Sequence, residues 1–253
     1  VKISATIITY NEEENILSAL ETLSWADEII VVDSQSTDLT RELAGGFGAR
    51  VIKREWPGFS EQKQFAADAA RNDWIFSLDA DERVSPELIT SIRALSSAEQ
   101  RATGYLIPRR SFYQGRWIRG GGWYPNRQLR LFNRTQCRWN KRQIHESVEP
   151  NPGARIESLA GDILHYSVRD ASHHHRMIGE RYAPLAARQA FSEGKRSSPV
   201  KIATAAPASF LRSYVLKGGF RDGLAGLTIA GFAAHHSFLK QVLLWELQQE
   251  ARK

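Results

Sequence analysis

Cysteine is nearly absent: the 253-residue chain has one, Cys137, so no disulfide can close within it, and a reducing, cytoplasmic compartment is expected. Long apolar runs are missing too. The least polar stretch, Leu224 to Ala234, falls well short of the roughly 18 apolar residues that a membrane-spanning helix needs. Residues 1–10 (VKISATIITY) are expected to form a first strand and not a signal peptide, which would carry a longer apolar run after a basic start. No zinc-finger spacing, basic zipper or aromatic ribonucleoprotein motif is present. The net charge of +6 is therefore read as affinity for anionic lipid or a phosphorylated substrate, with no nucleic acid among the expected partners. Two nucleotide signatures are also lacking. Gly-x-Gly-x-x-Gly would have to follow the first strand directly, but Tyr10 to Asn15 (YNEEEN) stand there, and Gly45, Gly46 and Gly48 follow a helix instead. A Walker loop is absent as well.

What is present has the composition of a folded protein, with 42% hydrophobic and 25% charged residues. The first hundred residues alternate short β-rich runs with helical patterns, as in βαβ units that build a largely parallel sheet. Strands are expected at Ile3 to Thr9, Glu28 to Asp33 and Trp74 to Leu78, with a weaker one at Arg50 to Lys53. Helices are expected at Glu13 to Thr22, Asp38 to Ala44 and Glu61 to Arg71. From Gly104 to about His165 the chain is rich in Arg, Trp, Tyr and Gly, with strand-like pieces at Tyr105 to Pro108, Gln128 to Phe132 and Ile163 to Tyr166. After Asp170 the pattern is helical, broken by a basic connection at Lys195 to Pro199.

The apolar run Trp74 to Leu78 stops at Asp79-Ala80-Asp81, so these carboxylates are expected where a buried strand opens into a cleft, the edge at which open α/β sheets bind ligands. Two carboxylates one residue apart can share a hard divalent cation that bridges phosphate oxygens. The competing role, capping the next helix, falls to Ser85 with Pro86 at the first helical position. An aspartyl nucleophile of the haloacid-dehalogenase type is also disfavoured, because the pair ends a late strand and Arg83 stands where Thr or Val would be needed. Thr9, Tyr10, Asn11 and Glu12 close the first strand, and Asp33 closes the next ahead of Ser36, Thr37 and Asp38. A tyrosine ring can pack on a nucleobase while a carboxylate accepts from its N–H or from ribose hydroxyls. The alternative for each is a capped turn, the better reading for Ser36, Thr37 and Asp38.

In order and spacing, Ile7 to Glu13 (IITYNEE), Ile30 to Asp38 (IVVDSQSTD) and Ser77 to Glu82 (SLDADE) resemble the three donor-site motifs of family 2 glycosyltransferases. Gly121 to Phe132 (GGWYPNRQLRLF), His145 with Glu146, and Ile163 to Ser167 (ILHYS) narrow the resemblance to bacterial lipopolysaccharide core glucosyltransferases. The resemblance implies a GT-A fold, α/β and Rossmann-like with a mostly parallel sheet, and a helical C-terminal extension. It divides the chain into a catalytic domain at 1–168, with a nucleotide-binding half at 1–100 and an acceptor half at 101–168, and the helical extension at 169–253. It also implies a UDP-sugar donor, a divalent metal (Mn2+ or Mg2+) and inverting transfer. On this resemblance Thr9, Tyr10, Asn11, Glu12 and Asp33 hold the nucleoside, Asp79 faces ribose or metal, and Asp81 ligates the metal. Lys63 lies in the stretch that lines the nucleotide cleft, although a lysine on a helix face is more often solvated.

Inverting transfer needs a base for the acceptor hydroxyl, ideally a carboxylate in a partly desolvated cleft. Glu146 is the candidate, weighed against a surface salt bridge with Arg142 or Lys141, and Asp162 and Glu149 are the fallbacks. His165 is a candidate metal or diphosphate ligand, or else a buried structural histidine. His173, His174 and His175 sit about 100° apart on a helix and cannot converge on one ion, so a solvated or interfacial patch is expected. Trp123, Tyr124, Arg127, Gln128 and Arg130 pair flat rings with forked cations suited to a sugar and an anionic group, and the arginines either side of Gln128 are expected to share one face. The helical stretches Ala208 to Lys217 and Phe238 to Gln248 carry apolar residues flanked by Arg212, Lys217, Arg221 and Lys240. They are expected to lie in an anionic membrane interface, at the inner face of the cytoplasmic membrane, or else to pack against the catalytic domain or pair with a second copy. The competing functions are a sugar nucleotidyltransferase, whose first loop would be Gly-rich and basic where this one is acidic, and a non-catalytic glycan- or lipid-binding module.

Overall fold

The computed structural model describes residues 1–95, 102–141, 146–166 and 168–251. The chain divides into two compact units, Val1–Arg109 with Asn126–His165, and Arg110–Pro125 with Tyr166–Lys253. Residues 110–125, expected in the acceptor half, thus belong with the helical part of the chain.

The first unit opens with β1 (Ile3–Thr9), α1 (Ile16–Glu21), β2 (Glu28–Asp33), α2 (Thr40–Gly46), β3 (Arg50–Lys53), α3 (Phe59–Asp68), β4 (Trp74–Asp79), β5 (Glu82–Val84) and α4 (Pro86–Leu95). It continues through β6 (Gly104–Tyr113), with β7 (Arg116–Trp117) following in the second unit, and then β8 (Asn126–Asn133), β9 (Cys137–Trp139), β10 (Val148–Pro150), β11 (Ile156–Ser158) and β12 (Ile163–His165). The main sheet runs β3-β2-β1-β4-β8-β6-β12-β5, while β9 and β10 form a separate pair. From β3 to β4 it is parallel, with Thr9 opposite Asp33 and Ile8 opposite Asp79, so the polar ends of β1, β2 and β4 emerge at one edge. Beyond β4 it turns antiparallel through β8.

Alternation along each strand fills both faces of this sheet. Ile3, Ala5, Ile7, Val31, Phe76 and Leu78 pack with Leu20 of α1 and Leu88 and Ile92 of α4, whereas Ile8, Ile30, Val32 and Ile75 pack with Ala66 and Ala67 of α3. Phe76 is fully buried, a contribution of about 1.5–3 kcal/mol. Ser85 caps α4, its Oγ accepting from the Leu88 N–H at 3.2 Å, so Asp79 and Asp81 are not needed for that purpose.

The second unit holds α5 (Ala171–Arg176), α6 (Ala183–Ser192), α7 (Pro199–Leu211) and α8 (Gly223–Glu250). Wider π turns at Met177–Tyr182 and Arg212–Leu216 and a 3-10 turn at Gly219–Asp222 link them. Asp222 is buried and accepts from the N–H groups of Arg119, at 3.1 Å, and Gly120, at 2.6 Å. A Cβ on Gly226 would stand 1.8 Å from the Gly219 oxygen, so only glycine permits that approach.

The histidine run is not a uniform patch. His174 is buried, with Nδ1 3.2 Å from the Tyr113 hydroxyl and its ring 4.2 Å from that of Phe232. Leu244 in the stretch Phe238 to Gln248 is buried against Ala187 and Ala190 of α6, with Leu243 and Leu247 beside it. That part of the expected membrane face is therefore covered by protein. Among the described residues, no helix is long and apolar enough to cross a membrane.

Candidate functional site

At the ends of β1 and β2 the loops are stitched by side chains. Asn11 adopts a positive φ of 52°, donates its N–H to Ser36 Oγ at 2.8 Å and accepts from the Thr37 N–H at 2.9 Å. The Glu12 N–H donates to Thr40 Oγ1 at 2.8 Å, and its carboxylate accepts from Asn15. Asp33 is fully buried, accepting from the Ser36 N–H at 3.0 Å and from the Ser36 hydroxyl, with Arg41 Nε 3.6 Å away. It holds the turn together, whatever it also does for a ligand. Tyr10 projects into solvent, its side chain more than half exposed. Thr9 differs from all of these: its Oγ1 is buried with no hydrogen-bond partner among the described residues, a costly state for a hydroxyl.

At the end of β4, Asp79 is held between two buried cations, Lys63 Nζ at 2.8 Å and Arg130 Nη2 at 2.9 Å. Burial alone would raise its carboxyl, but Arg130, then Lys63 and Arg109, outweigh that and hold it well below the usual carboxylate range. Lys63 also stands 3.5 Å from Glu146 Oε1, so one ammonium joins the strand-end carboxylate to the candidate base. Behind them lies fully buried Glu82, which accepts from the Asp79 N–H at 2.8 Å, from Arg130 at 3.0 Å and from Arg109 Nε.

Asp81 and His165 form the second half of this cluster. Asp81 Oδ2 is 3.2 Å from His165 Nε2, and Arg109 Nη2 reaches the same nitrogen at 2.6 Å. A neutral ring either accepts from Arg109 at Nε2 or donates from that nitrogen to Asp81, so the tautomer decides which of the two contacts is a hydrogen bond. The Asp81 carboxylate is a ligand that Mn2+ or Mg2+ would accept, and the His165 imidazole would join it only by giving up its Arg109 contact. Asp79, tied to two cations, is the poorer ligand. Among the described residues no group of three His, Cys, Asp or Glu side chains is placed to hold a metal.

The structure bears on three of these readings. Lys63 is 4% exposed and paired, not a solvated lysine on a helix face. Arg127 and Arg130 differ in burial: Arg127 is exposed, whereas Arg130 is buried at a bulge, where Leu129 pairs with Leu106 and Leu131 with Tyr105. The partners of Arg130 are Asp79, Glu82 and Gln128, protein groups that allow an arginine inside the core. Glu146 pairs with Lys63 and stands 83 residues from it in sequence, while Arg142 and His145 lie outside the described residues, as does Ser167. Of the fallbacks, Asp162 donates its N–H to Ser85 and Glu149 is exposed.

Trp123 and Tyr124 lie in the second unit, where Trp123 packs tilted against Tyr113 and edge-on against His174, and Arg110 stands 5.6 Å over the Tyr124 ring. Sequence reading missed Glu82 and Arg109. The signal for Glu82 was available, a carboxylate directly following the acidic pair and opening a strand, but its arginine partners are 27 and 48 residues away.

Residues 4–160 match the family model described as Glycosyl transferase family 2. The chain is 32% identical over 251 residues to a lipopolysaccharide core biosynthesis glycosyltransferase of Rhizobium meliloti, spanning 96% of this chain and 92% of that one. It is 31% identical to an uncharacterised glycosyltransferase of Rickettsia typhi, over 99% of this chain and 89% of that one. Among solved structures it is similar to glucosyl-3-phosphoglycerate synthase from Mycobacterium tuberculosis, crystallised with Mn2+ and UDP, at 31% identity over 45% of this chain and 44% of that one, with a TM-score of 0.36.

Proposed function

The chain belongs to glycosyltransferase family 2 and is a glycosyltransferase; from that premise we propose that it moves a hexose, glucose by preference, from a UDP-sugar to a saccharide of the lipopolysaccharide core, with inversion at the anomeric carbon. The observation that carries the reading is Lys63, which joins Asp79 to Glu146 across 2.8 and 3.5 Å and so puts a base candidate beside the donor edge. Thr9, Tyr10, Asn11, Glu12 and Asp33 hold the nucleoside, with the unpartnered Thr9 hydroxyl as the open contact. Asp81 and His165 hold the divalent ion, which when bound neutralises charge on the departing diphosphate. Asp79 meets the ribose while Lys63 and Arg130 keep it ionised. Glu146 takes the proton from the acceptor hydroxyl as that oxygen attacks the anomeric carbon and UDP leaves. Arg127, exposed on β8, meets an anionic group of the acceptor. A lipid-linked acceptor puts the reaction at the inner face of the cytoplasmic membrane.

Calorimetry with UDP and Mn2+, followed by a nucleotide-sugar panel with core saccharide as acceptor, tests this. Asp81→Asn should abolish the metal-dependent part of UDP binding, and Glu146→Gln should bind UDP normally yet lose transfer at least about a hundredfold. Full transfer by Glu146→Gln removes the assigned base, and UDP binding indifferent to Mn2+ removes the metal assignment.

A further inference from the structure

Between α7 and α8 the chain turns a corner that is inside out by the standard of a soluble surface. Leu211, Val215, Leu216, Phe220, Leu224 and Leu227 all face solvent, Leu216 and Leu224 being 76% and 74% exposed. Single exposed apolar residues are ordinary, but six within seventeen residues are not. The buried positions of the same segment are small or polar: Ser213, Gly219, Asp222, Ala225 and Gly226.

This exposure does not come from a loose backbone. Asp222 is bound by two backbone N–H groups, the Gly121 N–H donates to the Lys217 carbonyl at 3.0 Å, and Ser213 Oγ donates to the Gly121 carbonyl at 3.2 Å. Gly120 approaches Gly218 so closely that a Cβ would stand 2.4 Å from its carbonyl oxygen. The small inner face is what lets these elements close up, and closing up turns the large side chains outward.

Charge identifies the occupant. From Gly194 to Trp245 the sequence holds seven Lys or Arg and one acidic residue, Asp222, which is buried. Arg212, Lys217 and Arg221 are exposed among the apolar side chains. A second copy of the chain would bring the same positive charge to the contact and repel. An anionic bilayer meets both features at once, taking up the leucines and the phenylalanine below its headgroups and attracting the cations at their level.

We propose that the 211–227 corner is a preformed insertion site for an anionic lipid surface. It deepens the reading of a lipid-linked acceptor by naming the part of the chain that enters the lipid, and it does not depend on the sugar transferred or on the identity of the base.

The test is flotation of the full chain with phosphatidylglycerol-containing vesicles and with pure phosphatidylcholine vesicles, alongside sedimentation without lipid. The wild type should float with the anionic vesicles only. Leu216→Asp combined with Leu224→Asp should weaken that binding at least about tenfold and leave Mn2+-dependent UDP binding unchanged. Neutralising Arg212, Lys217 and Arg221 to Gln should weaken it as well, and the indole of Phe220→Trp should shift to the blue on anionic vesicles. Undiminished flotation of the Leu216/Leu224 variant overturns the proposal. So does a lipid-free dimer that this variant converts to monomer, which would assign the corner to a second copy. Loss of UDP binding in the wild type would count against the donor site and leave the corner standing.

Discussion

Replacing Glu82 by Gln tests whether the buried charge network holds the donor edge in place. The carboxylate has no solvent exposure, and its oxygens accept from the Asp79 N–H at 2.8 Å, from Arg130 at 3.0 Å and from Arg109. An amide of the same shape offers one oxygen and one NH2. If the oxygen faces the arginines, the NH2 meets the Asp79 N–H, donor against donor; turned over, it confronts two guanidinium groups. Either way at least one bond is lost, and buried Arg130 and half-buried Arg109 lose a counter-charge. Breaking a buried ion pair from one side costs about 3–5 kcal/mol, and in a unit of this size each kcal/mol lowers Tm by about 2–4 °C, so a fall on the order of 10 °C is expected. Urea unfolding should show a lower midpoint, and adding Arg109→Met should restore part of the loss, because it removes one of the cations left uncompensated. A loss below about 1 kcal/mol, or strictly additive variants, would show that solvent or a rearranged arginine replaces Glu82 at little cost.

Thr9→Val should leave the free protein as stable or more stable by up to about 1 kcal/mol, since it deletes a hydroxyl with no partner, and should weaken UDP binding measured by calorimetry; a stability loss with unchanged binding reverses the assignment. Burial, reinforced by His173, pushes His174 down to about 4 from 6.5, so the folded state resists the proton. Its share of stability is complete above pH 6.5 and falls by about 3 kcal/mol as the pH drops to about 4, a loss that His174→Phe should flatten in urea titrations at several pH values. Gly226→Ala puts a methyl 1.8 Å from the Gly219 carbonyl oxygen and should cost more than about 2 kcal/mol, read by thermal unfolding; a silent substitution would mean that α8 can slide.

Strands at the parallel end were legible because each is an apolar run closed by polar residues, and β1, β2 and β3 run as the sequence suggested. The Arg109-Arg110 pair, by contrast, made β6 look finished at Pro108, whereas it continues to Tyr113, with Arg109 opposite Asn126 of β8 and Phe112 and Tyr113 opposite Trp117 and Arg116 of β7. Pattern reading treats a charge as a surface mark. Lys63, Arg130 and Glu82 break that rule together, each tolerated inside by partners tens of residues away that no local pattern reports. Similarly, the apolar face of α8 was visible, but which stretch of it α6 covers depends on tertiary packing.

The stitched loops after β1 and β2 have a consequence for which part of a donor they can receive. The amide hydrogens of Asn11, Glu12, Glu13, Ser36, Thr37, Leu39 and Thr40 are already given to side-chain oxygens. A diphosphate binds where backbone N–H groups point outward unspent, as in a glycine-rich cradle. Here that resource has been used in making the loops rigid, and the surface around them carries carboxylates. The edge therefore suits the uncharged end of a nucleotide better than the charged end, whose countercharge the cation proposed at Asp81 would supply. A nucleotide received at this edge would be recognised through its uncharged polar groups, which a glycine-rich phosphate cradle does not read.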